Sequence, residues 1–231
     1  MNLNMNPSNP EPNPAIASGP TDVNDRMLAV WEIVSIVTTV VIAEWIRPSA
    51  AWLSPVLMTV PVAFAVALTI SSHRVRGESL RDIGFCFDNF LNALYLLAIP
   101  TVVTLGLCLL IAWVTSAPIN FLRWQLNANV GWALLQQYML QGFIHRRAMI
   151  VLGRGWRSIV LVAIIFGLLH LPNPWIALIT LMAGAIWAAI YQRTPNLFAL
   201  AVSHSVMTWF VVSTFPPSLL RHMRVGIGYF G

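Results

Sequence analysis

The chain has 231 residues, 58% of them hydrophobic and 9% charged, with a mean hydropathy of +0.73. This balance excludes a soluble globular domain and describes a single polytopic membrane domain. The formal charge of +5 comes from Arg alone, there being no Lys, and the Arg residues fall between apolar runs. Positive charge placed in that way sets orientation in a membrane and excludes nucleic acid as the partner.

Residues 1–26 are rich in Asn and Pro and predict a disordered tail. The first apolar run, Met27 to Ile46, is too long for a signal-peptide core and lacks a small-residue cleavage site, so it predicts an uncleaved span. It carries two carboxylates. Glu44 has Arg47 three residues on, the spacing of a membrane-edge ion pair, whereas Glu32 lies further inside and is harder to explain that way.

A second span is expected from about Ala51 to Ser72, followed by a basic, half-apolar stretch, His73 to Phe85, of the kind that lies on a membrane surface. A third covers Asn89 to Val114 around Pro100. The fourth, Asn129 to Ile144, leads into His145-Arg146-Arg147, which with Arg154 and Arg157 forms the densest basic cluster and is expected as a cytoplasmic loop. The fifth, Ser158 to Leu171, stops where Pro172 and Pro174 forbid helix continuation. The sixth is Trp175 to Tyr191 and the seventh Leu197 to Phe215.

The expected fold is therefore an all-α transmembrane bundle of seven or eight spans over residues 27–231. Alternating the loops puts Arg26, Arg74, Arg76, Arg81, Arg146, Arg147, Arg154, Arg157 and Arg193 on the amino-terminal side. Only Arg47, Arg123, Arg221 and Arg224 fall opposite, so the amino terminus is expected in the cytoplasm.

The chemistry concentrates on three spans. Gln136, Gln137 and Gln141 lie inside the fourth, where each unpaired amide costs roughly 2–7 kcal/mol, so polar partners or a cavity are required. On an α-helix Gln137, Gln141 and His145 share a stripe and Gln136 lies about 100° to the side. Amides that merely glue helices together are the plainer reading. His170 closes the fifth span, one turn after Phe166, and His204 lies on the seventh, one turn before Thr208. Two histidines on separate spans point to a shared site.

Ser203 and Ser205 point to other helix faces than His204 and have no orienting acid after them, so a serine nucleophile is disfavoured. Cys86 and Cys108 form neither a disulfide framework nor a ligand spacing. His170 and His204 are too few for a metal, and no cofactor is expected; bis-histidine haem and a permeation site stay as minor readings. All eight carboxylates lie at or before Asp88, so carboxylate chemistry near the glutamines would have to come from the first third of the chain.

In order and spacing these residues resemble the CPBP family of intramembrane proteases, which includes CAAX prenyl proteases and lysostaphin-resistance-like and bacteriocin-immunity-like (Abi) proteins. The family pattern is Glu-Glu-x-x-x-Arg before Gly, then Phe-x-x-x-His, then His-x-x-x-Asn or His-x-x-x-Asp. Here those positions read Gln136-Gln137-x-x-x-Gln141-Gly142, Phe166-x-x-x-His170 and His204-x-x-x-Thr208. Ser79 to Phe85 and Gly184 to Phe198 add support, and the likeness covers about 78–210.

The resemblance implies an intramembrane endopeptidase of a prokaryotic inner membrane, acting on membrane or prenylated proteins, with membrane lipid and a hydrophobic or lipidated protein as partners. It implies Gln136, Gln137, Gln141, His170 and His204 at the catalytic positions, with Phe166, Asn173 and Thr208 at the substrate. The glutamate general base of the family is absent, since a carboxamide takes up no proton. The motif's Arg is replaced as well, so the site is neutral throughout. The alternative implied is a non-catalytic descendant that binds, scaffolds or confers immunity.

Overall fold

The structure, a computed structural model, describes residues 23–46, 54–121 and 123–230. Most of the expected tail, Arg47 and the first residues of the second span lie outside them. Among the described residues every regular element is helical.

Helix α1 (Val23–Val41) continues into a π-helical turn, Ile42–Ile46. Then come α2 (Ser54–Val75), the short α3 (Leu80–Ile83) and α4 (Phe90–Val114). Helix α5 (Arg123–Gln137) runs through a π-helical stretch, Tyr138–His145, into α6 (Arg146–Leu152), making one helical rod over 123–152. The chain ends with α7 (Trp156–Leu168), α8 (Pro174–Arg193), α9 (Leu197–Thr214), α10 (Pro217–Leu220) and two 3-10 turns, Arg221–Met223 and Gly226–Tyr229.

Among the described residues, four helical segments have the length and apolarity to cross a bilayer: Val23–Trp45, Phe90–Val114, Pro174–Arg193 and Leu197–Thr214. The other three expected spans fall short for different reasons. Helix α7 has 13 residues, about 20 Å of rise, against a hydrocarbon core of ~30 Å. In α2 the apolar part described is Thr59–Val75. The rod over 123–152 is long enough, but its Asn, Gln and Arg residues make it too polar. The basic cluster is also relocated: His145, Arg146 and Arg147 continue the rod instead of forming a loop, and His145 and Arg147 are fully buried. Their charge and polarity are matched inside the protein, which removes the reason to seek water.

Large apolar side chains at Leu91, Tyr95, Ile99 and Val102 stand exposed along one stripe of α4. In water such a face would drive association; in a bilayer it meets lipid tails. The chain is an integral membrane protein.

Small residues let the site helices close on one another. A Cβ on Gly184 would lie 3.2 Å from Cδ1 of Phe166, and one on Gly167 would lie 3.1 Å from the Ala177 carbonyl, so α7 and α8 approach to backbone distance. Helix α9 is tied to α4 by Thr101 Oγ1 and Ser203 Oγ at 2.9 Å, and to α8 by Trp187 Nε1, which donates to Ser203 Oγ at 3.3 Å.

The surface stretch before α4 is a built corner. Ser79 and Asp82 form a capping box on α3, and Gly84 ends it at φ 103°, with its carbonyl accepting from Leu197 N at 2.8 Å. Asn196 caps α9 through Ala199 N at 2.8 Å and donates to the Cys86 carbonyl at 2.7 Å. These bonds fix where α9, and so His204, begins.

Candidate active site

Helices α4, α5, α7, α8 and α9 and the π turn after α1 enclose a cavity of about 730 Å³. Gln136, Phe166, His170, His204 and Thr208 line it, so the structure brings together five of the residues singled out from sequence. Trp187 and Glu44 line it as well.

His170 follows α7, where the last carbonyls of a helix have no partner within it. Its ring folds back so that Nδ1 lies 2.7 Å from the Phe166 carbonyl oxygen. A carbonyl only accepts, so Nδ1 carries the proton and Nε2 is left with a lone pair, a hydrogen-bond acceptor on a ring that lines the cavity. Trp45 satisfies the neighbouring carbonyl, its Nε1 donating to Leu169 O at 2.9 Å.

His204 is held from the other side. Its ring lies 4.5 Å from that of Trp187 and meets Phe166 edge-on at 6.2 Å, and its Nδ1 lies 3.2 Å from the amide nitrogen Nε2 of Gln137. The amide donates, so Nδ1 accepts and Nε2 carries the proton. His170 thus offers an acceptor and His204 a donor.

The glutamines divide by role. Gln136 is half-buried in the cavity wall, while Gln137 and Gln141 are fully buried behind it. Gln141 Oε1 accepts from His145 Nδ1 at 2.7 Å, and His145 Nε2 accepts from Gln192 Nε2 at 3.0 Å. Gln192 also donates to Ser158 Oγ at 2.9 Å, so this chain of bonds joins the rod, α7 and α8. Gln137 Oε1 and Gln141 Nε2 are left without hydrogen-bond partners. Asn173, expected at the substrate, is fully buried as the N-cap of α8, and its Nδ2 donates to Leu220 O at 2.8 Å. That bond ties down the carboxyl-terminal segment.

Residues 118–210 match the family model described as Type II CAAX prenyl endopeptidase Rce1-like. This core is CAAX-endopeptidase-like. No curated protein and no solved structure matches the chain. The endopeptidase-like core contains every site residue expected from sequence, and the carboxylates Glu32 and Glu44 lie outside it.

Those two carboxylates have parted company. Glu32 faces away from the cavity, at a buried ion cluster beside the core. Its carboxylate accepts from Ser72 Oγ at 2.5 Å and lies 2.9 Å from Arg147 Nε. Arg147 Nη2 lies 2.8 Å from Glu78, which also receives His73 Nδ1 at 2.6 Å and Arg146 Nη2 at 2.6 Å. Burial alone would raise the Glu78 carboxyl, but hydrogen bonds from His73 and Arg147 and the nearby Arg146 and Arg147 charges outweigh it and hold it far below the ordinary 4.5. Glu44 instead is half-buried in the cavity wall. Sequence reasoning missed Trp187, Trp45 and Gln192, whose partners come from other helices; the Gly184 to Phe198 stretch was the one signal near two of them.

Proposed function

We propose that the chain is an intramembrane endopeptidase of hydrophobic or lipidated membrane proteins, working from a glutamine site instead of a glutamate one. The observation that carries this reading is the convergence of His170 and His204 on one cavity with complementary nitrogens. An acceptor can hold a water through one O–H, and an N–H can face the oxyanion that forms when water adds to a peptide carbonyl. Gln136 is suited to holding the substrate backbone. The apolar wall, with Leu135, Met139, Ile179 and Met182, suits a membrane helix or a lipidated tail bathed in membrane lipid.

A non-catalytic reading, in which the cavity only binds, scaffolds or confers immunity, is favoured by one observation. Gln137 and Gln141 are tied to His204 and His145, and none of the three amides can accept a proton. The association of Arg76 and Arg147 with the amino-terminal half of α1 supports a cytoplasmic amino terminus.

Purified protein in liposomes, offered a panel of membrane and prenylated peptides, separates the readings. Cleavage by the natural sequence that is lost in His170→Ala supports the endopeptidase. Cleavage only by the triple variant Gln136→Glu, Gln137→Glu, Gln141→Arg makes the natural chain a binding protein.

A further inference from the structure

Among the described residues every carboxylate but Glu44 is engaged elsewhere by a cation or a helix cap. Asp25 pairs with Arg76, Glu32 and Glu78 share Arg147, Asp82 caps α3, and Asp88 pairs with Arg81. Glu44 is the one described carboxylate that lines the cavity. It shares that cavity with His170, His204 and Gln136.

Its placement is built from both sides. Glu44 sits in the π turn Ile42–Ile46, a geometry that often marks functional sites in helices. The next residue, Trp45, donates to the carbonyl of Leu169, which precedes His170. Behind Trp45 stands Gly226, at φ 57°, so close that an added Cβ would lie 2.5 Å from Trp45 Cα. Gly226 N in turn donates to Leu171 O at 2.8 Å, on the other side of His170. Glu44 and His170 are therefore carried by segments stitched together through their immediate neighbours.

We propose that Glu44 is a catalytic residue: the carboxylate that accepts the proton of the attacking water, in place of the family's motif glutamate. The inference rests on the endopeptidase reading above. A water in the cavity donates one O–H to Glu44 and the other to Nε2 of His170, and its oxygen attacks the substrate carbonyl. As the O–C bond forms, the O–H bond to Glu44 breaks, the proton passes to the carboxylate, and the carbonyl π pair moves onto oxygen, facing the N–H of His204. When the intermediate collapses, the C–N bond breaks and protonated Glu44 returns its proton to the leaving nitrogen. One water is consumed, an acid and an amine are formed, and Glu44 is regenerated.

The test uses the full chain in liposomes with a peptide that the natural sequence cleaves. Glu44→Gln, which keeps shape and removes proton affinity, is expected to lower kcat by about 10²–10⁴-fold with little change in KM. Adding Gln136→Glu to Glu44→Gln restores a carboxylate to the cavity lining and is expected to recover cleavage.

Unchanged kcat in Glu44→Gln would overturn the proposal while leaving the endopeptidase reading standing. A loss of rate accompanied by a matching fall in melting temperature, with no recovery in the double variant, would assign Glu44 a structural role and overturn it too. A natural chain that is inert beside an active Gln136→Glu variant would overturn both readings.

Discussion

Replacing Arg147 with Met tests the ion cluster that sets α1 against the rod. Arg147 has no exposed surface, and its guanidinium spans Glu32 at 2.9 Å, Glu78 at 2.8 Å and Ser72 Oγ at 2.9 Å, with Phe143 4.7 Å away. Without it Glu78 keeps His73 and Arg146, both at 2.6 Å. Glu32, 4% exposed, keeps only the Ser72 hydroxyl and a distant Arg76 at 3.4 Å. The cost falls on Glu32, and leaving a buried charge without its partner costs about 3–5 kcal/mol. At ~2–4 °C per kcal/mol for a chain of this size, the melting temperature should fall by about 6–20 °C. Melting in detergent micelles, followed by tryptophan emission, reads the shift. The paired variant Arg147→Met with Glu32→Met removes the stranded charge and should be more stable than Arg147→Met alone. A single variant within ~1 kcal/mol of the natural chain, with effects that simply add in the pair, would show the cluster to behave like a surface ion pair and refute the reasoning.

Three further outcomes follow from the same geometry. Because Glu78 is held below the ordinary carboxylate value in the fold, its contribution to stability is complete above about pH 4.5 and is lost as pH falls below that; Glu78→Gln should flatten the acid limb of a melting-temperature profile. Gly84→Ala puts a Cβ at φ 103° and 3.3 Å from the backbone of Asn196 and Leu197, so it should cost about 1–3 kcal/mol, whereas Gly77→Ala, with open space around it, should cost less; the two melts compared check this. Gln137→Leu removes the amide that fixes the His204 tautomer together with an oxygen that has no partner, so stability should barely change while cleavage falls about 10-fold, equivalent to ~1.4 kcal/mol in the barrier. Kinetics and melting on the same preparation separate the two effects.

The all-α membrane architecture was legible because apolar runs and Arg placement report it directly. So was the meeting of His170 and His204 on one cavity, since two histidines kept on separate spans point to a shared site. The π-helical stretch Tyr138–His145 was not legible. Its i→i+5 bonding leaves no compositional mark, and that Gln136 alone of the three glutamines lines the cavity was equally hidden. The burial of Arg146 and Arg147 was missed for another reason. Their partners Glu32 and Glu78 lie on segments far back in the chain, and a basic run read alone looks like a loop. The resemblance implies Asn173 at the substrate; the structure places it, fully buried, as the N-cap of α8, where a residue that precedes Pro174 at a helix start is suited to cap it.

The replaced motif and the first helix are two parts of one arrangement. A Glu and an Arg at positions 137 and 141 would pair within the rod; with glutamines there, one amide oxygen and one amide nitrogen are left over, and no charge is available at the site. Charge is supplied from outside the matched core, by α1 and its π turn. That segment is anchored at two levels. Glu32 binds Arg147 of the rod, and Trp45, roughly 20 Å further along, binds Leu169 beside His170. A helix held at only one level could pivot and sweep the carboxylate between them away from the cavity. Held at both, it keeps Glu44 in the cavity lining, so weakening either anchor should depress cleavage before it unfolds the bundle. Trp45→Phe, which deletes one hydrogen bond of about 1 kcal/mol, is the mild perturbation that separates those effects. Its kcat should fall while its melting temperature shifts by no more than a few degrees, and a parallel loss of both would place the anchor's role in the fold alone.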